Sequence, residues 1–140
     1  MKGFEKLILK AYPDPGSKNG LPITIGYGST FYEDGSRIKM GDVITEDQAN
    51  KLFEWEVNTK TKVLNAMKLN LNQNQFDALV SFVYNVGVGA FNNSEMKKKI
   101  KLNPNDPSIE SEFMRWVKND GKVIKGLVRR RKEESKIYTS

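Results

Sequence analysis

Two carboxylates stand near the start of the chain and are followed by a threonine. Glu5 and Asp14 are nine positions apart, and Thr24 precedes a Gly-Tyr-Gly run at residues 26–28. Glycoside hydrolysis requires one carboxylic acid that protonates the leaving oxygen and a second carboxylate that activates water or attacks the sugar. A threonine hydroxyl on a nearby strand can help the second carboxylate hold a water molecule. The three side chains are therefore candidate catalytic residues.

The same residues also have an ordinary structural interpretation. Glu5 would lie on the solvated face of a helix, and Asp14 would be a turn residue between two prolines. Acid pairs at this spacing occur in most proteins, so the spacing alone favours the ordinary interpretation. The glycines at 26 and 28 do not form a phosphate-binding loop, because the lysine and Ser/Thr of that motif are missing.

Composition narrows the chemistry that the chain can perform. It has 140 residues, enough for one domain with a real core, and it contains neither cysteine nor histidine. Disulfides, thiolate metal sites, Ser-His and Cys-His catalysis and most zinc sites are thereby excluded. The formal charge of +6 suits an anionic partner such as a cell-wall polymer, a membrane surface or a nucleic acid. No apolar run is long enough to span a bilayer, and the N-terminal segment is not typical of a secretory signal.

The first part of the sequence predicts a small mixed lobe. Apolar residues at Phe4, Leu7, Ile8 and Ala11 have the spacing of one helical face and predict a helix over residues 3–12, which Pro13 ends. Residues 23–27 predict a short strand, and Asp34-Gly35 predicts a hairpin turn. Thr45 and Gln48 fit a capping box that opens a long helix, which we expect to extend to about Met67.

The second part predicts a helical lobe. Asn72 can cap a helix that extends through Asn85, with Phe76, Leu79, Val80 and Val83 inward and with Gly87 and Gly89 as breakers. Ser94 can cap a short basic helix that ends near Leu102, and helices are also predicted over 109–117 and 126–138, with a turn at 119–121. The basic runs at 96–101 and 129–132 are typical of solvated faces. Contact with an anionic polymer, or for 129–132 an ion pair with a catalytic carboxylate, is an alternative.

Four blocks of the sequence, in order, resemble those of the phage-type lysozymes of glycoside hydrolase family 24. The first block extends from Glu5 to Gly28 and resembles the family's opening block, in which a Glu-x-x-Leu helix leads to Ala-Tyr-x-Asp and then to Thr-Ile-Gly-Tyr-Gly. The others are ITEDQANKLFEWEV (44–57), LNQNQFDALVSFVYNVGVGAF (71–91) and GKVIKGLVRRRKEE (121–134). The resemblance covers nearly the whole chain. Ser29 departs from it, because the family usually has a histidine there; we expect that histidine to be structural.

The resemblance implies a fold class, a reaction and roles for residues. The fold would be α+β, mostly α, with a small β-hairpin lobe (about 1–45), a linking helix (about 46–67) and a helical lobe (about 68–140) that form a single two-lobed lysozyme domain. The enzyme would cleave the β-1,4 bond between N-acetylmuramic acid and N-acetylglucosamine in peptidoglycan, with inversion. Glu5 would be the general acid, Asp14 the second carboxylate and Thr24 the residue that positions water. The two carboxyl groups should then be roughly 6.5–9.5 Å apart.

Substrate binding and the cellular setting follow from the same resemblance. Tyr84, Asn85 and Ser94 match positions that line the saccharide cleft from the helical lobe. We expect no metal and no cofactor, a monomer, no stable membrane insertion and no nucleic-acid partner. The protein would stay in the host cytoplasm until a separately made membrane pore, a holin, gives it access to the bacterial wall.

Two other functions remain open at this point. Only four residues precede Glu5, so a short first helix would give a lysozyme-fold module that binds peptidoglycan, cuts it weakly and belongs to a larger phage or secreted assembly. The basic charge also fits a nucleic-acid binder, although the sequence has no recognised nucleic-acid motif. Release of dye from labelled cell walls would separate the enzyme from the binding module, and a steep salt dependence would indicate phosphate contacts.

Overall fold

The protein is a mostly helical chain with little sheet. Its structure, a computed structural model, describes residues 5–14 and 19–140. Within these ranges it has six helices and two small antiparallel sheets, which confirms the α+β, mostly α class. The chain divides into two compact units, Met1–Asn58 and Thr59–Ser140. None of the helices in the described ranges is both long enough and apolar enough to cross a membrane.

The first unit is built on a two-stranded sheet. Strand β1 (Ile8–Tyr12) pairs antiparallel with β2 (Thr24–Gly26), and Tyr12 lies opposite Thr24. The helix predicted over 3–12 is therefore wrong for the described residues: Glu5 lies in a bend and a strand follows. Phe4, which belonged to the predicted apolar face, lies outside the described residues.

Pairing on both sides explains why a strand forms where the spacing predicts a helix. A helix of ten residues is marginal without tertiary support. As a strand, β1 bonds to β2 and also to the segment before the long helix: the Ala11 amide donates to the Asp42 carbonyl and the Ile44 amide to the Leu9 carbonyl, each over 2.9 Å. Leu7 and Ala11 still pack on the core of this unit, which consists of Ile25, Ile38, Ile44 and Ala49. The apolar spacing was therefore a correct signal of burial and a wrong signal of helix.

The hairpin turn and the long helix follow the sequence predictions. The amide of Tyr32 donates to the carbonyl of Ser36 over 2.9 Å across the Asp34-Gly35 turn. Helix α1 (Glu46–Met67) opens with the predicted capping box: the Gln48 amide donates to Thr45 Oγ1 over 3.1 Å, and the Thr45 amide donates to Gln48 Oε1 over 2.8 Å.

The second unit packs five further helices around aromatic side chains. These helices are α2 (Gln73–Val86), α3 (Val88–Asn92), α4 (Glu95–Leu102), α5 (Ile109–Phe113) and α6 (Lys125–Thr139). Asn72 and Ser94 cap α2 and α4 as predicted. Gly87, with φ of +95°, ends α2, whereas Gly89 lies inside α3 and breaks no helix. The rings of Phe91, Phe113 and Trp116 all lie edge-on to Phe82.

A short hairpin connects α5 to α6. The helix predicted over 109–117 ends early, at Phe113, because the next residues turn and Val117 accepts a backbone bond from Ile124 over 2.9 Å. Strands β3 (Lys118–Asn119) and β4 (Lys122–Val123) then pair around the predicted turn. Inside that turn Asp120 and Gly121 both have positive φ.

Candidate functional site

Glu5 lies in a bend just before β1 and is half-buried. Its carboxylate lies beside Gly28, so that a β-carbon added to Gly28 would stand 3.3 Å from Oε2 of Glu5. Gly28 has φ of +97°, in the left-handed region that favours glycine. The second glycine of the Gly-Tyr-Gly run therefore gives the turn its shape and leaves room for the acid.

Asp14 lies two residues beyond the end of β1 and is also half-buried. Its amide donates to the carbonyl of Gly20 over 2.8 Å, which ties down both sides of the connecting loop. Gly20 has φ of +73°, and a β-carbon there would stand 3.0 Å from the β-carbon of Pro13. The two described ends of the loop therefore lie close together at Asp14, and its residues 15–18 lie outside the described part of the chain.

Thr24 begins β2 and is only 8% exposed. Its hydroxyl donates to the carbonyl of Pro22 over 3.0 Å, because a carbonyl can only accept. The hydroxyl hydrogen of Thr24 is therefore already used in a hydrogen bond within the protein. Toward any further group, Thr24 offers the lone pairs of its oxygen.

Tyr12 links these three residues. It lies directly opposite Thr24 in the sheet, so the two side chains emerge on the same face, and Asp14 is two residues further along. Burial raises the pKa of the Tyr12 phenol, and the nearby negative charges of Glu5 and then Asp14 raise it further. Both carboxylates thus lie within electrostatic reach of one neutral phenol.

Sequence reasoning did not single out Tyr12 as a site residue. The signal was present in the Ala-Tyr-x-Asp motif, which places Tyr12 two residues before Asp14, at the end of β1. The helix predicted over residues 3–12 would have placed the side chain of Tyr12 differently relative to Thr24. The strand therefore accounts for the position of Tyr12 opposite Thr24 and near the charges of Glu5 and Asp14.

The candidate binding residues of the second unit lie at two helix ends. Tyr84 is half-buried and Asn85 is exposed, both in the last turn of α2. Ser94 is buried before α4, where its hydroxyl donates to the Phe91 carbonyl over 2.6 Å and accepts from the Lys97 amide over 3.0 Å. Ser94 is thus a helix cap first, with limited capacity for another partner.

Asn85 is held by a buried arginine. The oxygen of its amide accepts from Nη2 of Arg131 over 2.8 Å, and Arg131 is 0% exposed. Nε of Arg131 also lies 2.7 Å from Oε1 of Glu134, which is itself fully buried. The guanidinium carbon stands 4.9 Å from the centre of the Phe82 ring.

The solvated face predicted for the basic run at 129–132 is wrong for its two central arginines. Arg130 and Arg131 are 4% and 0% exposed. They belong to an inward stripe of α6 whose buried members recur at helical spacing: Arg130, Arg131, Glu134, Ser135 and Tyr138. The carboxylate that compensates them here is Glu134, which also accepts from Ser81 Oγ over 2.5 Å and is not a candidate catalytic residue. In the other basic run, residues 96–101, the predicted solvated face is confirmed for Lys98 and Lys101, which are exposed.

A groove of about 510 Å³ lies within the second unit. It is lined by Ala90, Asn93, Ser94, Glu95, Met96, Glu112, Arg115 and Trp116. Glu112 is buried, and its carboxylate oxygens lie 3.0 Å from Arg115 Nη1 and 3.5 Å from Lys99 Nζ. An aromatic ring beside a few oriented polar groups is the usual composition of a site for a polar organic ligand.

Comparisons with known proteins show the family of this chain. The family model described as phage lysozyme matches residues 2–134. The chain is 43% identical to the endolysin of Bacillus phage PZA over all of this chain and 52% of that protein, so it spans about half the length of that relative. It is 38% identical to the endolysin of Acyrthosiphon pisum secondary endosymbiont phage 1 over all of this chain and 92% of that protein.

Solved structures show the same likeness. The endolysin from Escherichia coli O157:H7 phage FAHEc1 superposes with a TM-score of 0.79 at 36% identity, over 98% of this chain and 86% of that one. Such a score at this identity goes beyond a shared fold class. The chain belongs to the phage lysozyme family, glycoside hydrolase family 24.

Proposed function

We propose that this chain is a peptidoglycan-degrading lysozyme, a muramidase that acts in phage-driven lysis of bacteria. It hydrolyses the β-1,4 bond between N-acetylmuramic acid and N-acetylglucosamine. Family membership and the similarity to phage endolysins support this proposal. The observation that carries it is the cluster in the first unit, where Tyr12 lies opposite Thr24 and within electrostatic reach of both Glu5 and Asp14.

Glu5 acts as the general acid. It donates its proton to the glycosidic oxygen as the bond to the anomeric carbon breaks, and the leaving sugar departs as an alcohol. Gly28 supports this role because it keeps a side chain away from Oε2. The carboxyl group therefore has room to meet the substrate oxygen.

Asp14 and Thr24 hold the attacking water. The hydroxyl hydrogen of Thr24 is directed at the Pro22 carbonyl, so Oγ1 accepts one hydrogen of the water. The carboxylate of Asp14 accepts the other hydrogen and takes the proton as the water attacks. With both hydrogens engaged, a lone pair of the water oxygen faces the anomeric carbon, and the product inverts its configuration.

The second unit contributes to binding of the glycan. Tyr84 offers a half-buried ring, and Asn85 offers an exposed amide. Ser94 lines the groove and, since its hydrogen is directed at Phe91, it can only accept from a sugar hydroxyl. Trp116 in the same groove offers an aromatic surface, which suits the apolar face of a pyranose ring.

The protein acts as a monomer on the bacterial wall. It is made in the host cytoplasm and reaches the wall when a holin opens the membrane. Its charge of +6 favours retention on an anionic wall polymer.

The first test is the clearing of a suspension of outer-membrane-permeabilised Gram-negative cells by the wild type and by Glu5→Gln. The wild type should clear the suspension, whereas the variant should fold and bind walls without clearing it. Clearing by both proteins would contradict the role of Glu5. Clearing by neither, with wall binding intact in a sedimentation assay, would contradict the enzyme and leave a binding module.

A further inference from the structure

Asn85 combines an exposed side chain with an anchored oxygen. The residue is exposed in the last turn of α2. Its Oδ1 nevertheless accepts a hydrogen bond of 2.8 Å from Nη2 of Arg131, a side chain with no exposed surface. One end of the amide is thus fixed from inside the protein while the side chain as a whole reaches solvent.

The identity of the anchored atom follows from the donor. A guanidinium group donates and never accepts, so the amide atom that faces it must be the oxygen. Rotation of the amide by half a turn would bring its N–H groups against those of Arg131. The orientation of the Asn85 amide is therefore determined, and its nitrogen is directed away from the arginine.

Arg131 is itself held firmly enough to serve as an anchor. Its Nε lies 2.7 Å from a carboxylate oxygen of Glu134, and its guanidinium lies over the Phe82 ring at 4.9 Å. Glu134 is held in turn by Ser81 and Arg130. A charged pair in such a site costs much desolvation energy and is weak evidence of stabilisation by itself. Orientation of a surface amide is a use that this arrangement can serve.

We propose that Arg131 is a positioning residue that presents the Nδ2 hydrogens of Asn85 to the carbonyl oxygen of an acetamido group on the glycan. This inference rests on the proposed function and specifies which substrate group the amide recognises. A fixed N–H donor favours an acceptor that carries no hydrogen of its own. A carbonyl oxygen is such an acceptor, whereas a hydroxyl group can also turn its hydrogen toward the donor. Both sugars of the proposed substrate carry acetamido groups.

The test measures binding, separately from turnover. Glu5→Gln protein, which should bind without cleaving, is titrated with an N-acetylglucosamine tetrasaccharide and with the same tetrasaccharide after removal of its acetyl groups. Asn85→Ala and Asn85→Asp are then each added to that background. Asn85→Asp keeps an oxygen for Arg131 and loses the donor, whereas Asn85→Ala introduces no charge and so suits the comparison of the two sugars.

We expect both substitutions to weaken binding of the acetylated sugar by about tenfold, the usual effect of one hydrogen bond. Asn85→Ala should leave binding of the deacetylated sugar unchanged within about twofold. Equal losses on both sugars, or no loss on either, would overturn the assignment of the acetamido group. A wild type that clears no cells would contradict the proposed function and would leave this titration interpretable.

The role of Arg131 is tested by non-additivity. Arg131→Lys should weaken binding of the acetylated sugar in the Asn85 protein and have no effect in the Asn85→Ala protein. Additive effects would overturn the positioning role. If Arg131→Lys does not fold, nuclear magnetic resonance of the Asn85 side-chain amide in the Glu5→Gln protein gives the answer: a rigid amide supports the anchor, and a freely reorienting one contradicts it.

Discussion

Gly28 lies against the carboxylate of Glu5, so that a methyl group at position 28 would stand 3.3 Å from Oε2. The same glycine has φ of +97°, a conformation that other residues adopt with strain. Two separate constraints thus act on one position of the Gly-Tyr-Gly turn. One concerns the backbone, and the other concerns the space that the proposed acid needs.

Gly28→Ala should reduce cleavage through the second constraint. The methyl group would displace Oε2 by a few tenths of an ångström or more, and small displacements of a catalytic group can cost about 100-fold in rate. We expect kcat on labelled cell walls to fall at least about tenfold, while strain lowers the free energy of unfolding by about 1–2 kcal/mol.

Gly35→Ala is the matched control for Gly28→Ala. Gly35 has φ of +87°, yet a β-carbon there would have no atom within 4 Å. The control should lose similar stability in urea unfolding and keep its activity. Equal kcat values for the two variants would contradict an effect of Gly28 on Glu5.

Substitutions of Asp14 and Thr24 should distinguish the contributions of the two groups that accept hydrogen bonds from the attacking water. Asp14→Asn removes the base and should lower kcat by at least about 100-fold with folding intact. Thr24→Val removes Oγ1 and should lower kcat by roughly tenfold to 100-fold, because the water loses one of its two acceptors. It should also cost about 1 kcal/mol of stability, since the Pro22 carbonyl loses its donor.

Thr24→Ser is the control at this position, because it keeps the hydroxyl and should retain most activity. Cleavage of labelled walls and urea unfolding are measured for each variant. A Thr24→Val protein with wild-type turnover would remove Thr24 from the mechanism, and an active Asp14→Asn protein would remove the base.

Local signals correctly predicted where helices α1 and α2 begin. The capping boxes at Thr45 and Asn72 involve side chains within three residues of each other, and both helices begin where those residues stand. The spacing of apolar residues likewise identified the buried face of α2 at Leu79 and Val83. These contacts join residues that are close together in the sequence, so the local sequence pattern is enough to predict them.

Contacts between distant segments account for the errors. The strand over Ile8–Tyr12 exists because it pairs with Thr24–Gly26 and with the segment near Asp42, and none of this is visible in the residues 3–12 themselves. Arg130 and Arg131 are buried because Glu134, Ser81 and Asn85 receive their hydrogen bonds and charge. A run of four basic residues resembles a solvated surface until its partners are known.

The candidate site shows the same division. Glu5, Asp14 and Thr24 were found from residue type, order and family resemblance. The relation of Tyr12 to them depends on strand register, which the helical interpretation missed. Their catalytic roles remain predictions that the variants above address.

Glu134→Gln should destabilise the second unit strongly. Glu134 has no exposed surface and accepts from Ser81 Oγ while it compensates two buried arginines. Removal of one partner from a buried ionic cluster leaves charge uncompensated and typically costs about 3–5 kcal/mol. Glu133→Gln is the control, because Glu133 is the exposed neighbour on the same helix and should change stability by less than about 0.5 kcal/mol. Similar urea midpoints for the two variants would contradict the structural role of the cluster.

Alkaline pH should destabilise the protein through Tyr138. Burial raises the pKa of Tyr138 to about 12, against about 10 in an unfolded chain. Between pH 10 and pH 12 the folded state binds more protons than the unfolded state, so the free energy of unfolding falls as the pH rises. The full contribution of Tyr138 to stability is present only below about pH 10.

Tyr138→Phe should make that alkaline fall shallower. The substitution removes the phenol that donates to the Pro104 carbonyl over 2.7 Å, but the same carbonyl also accepts from Gln75 Nε2 over 3.2 Å and keeps a partner. The variant should therefore fold normally at pH 8. Urea unfolding of both proteins from pH 8 to 11.5 measures the effect. Parallel curves for wild type and variant over that range would show that Tyr138 titrates alike in the folded and unfolded states, contrary to its burial in the core of the second unit.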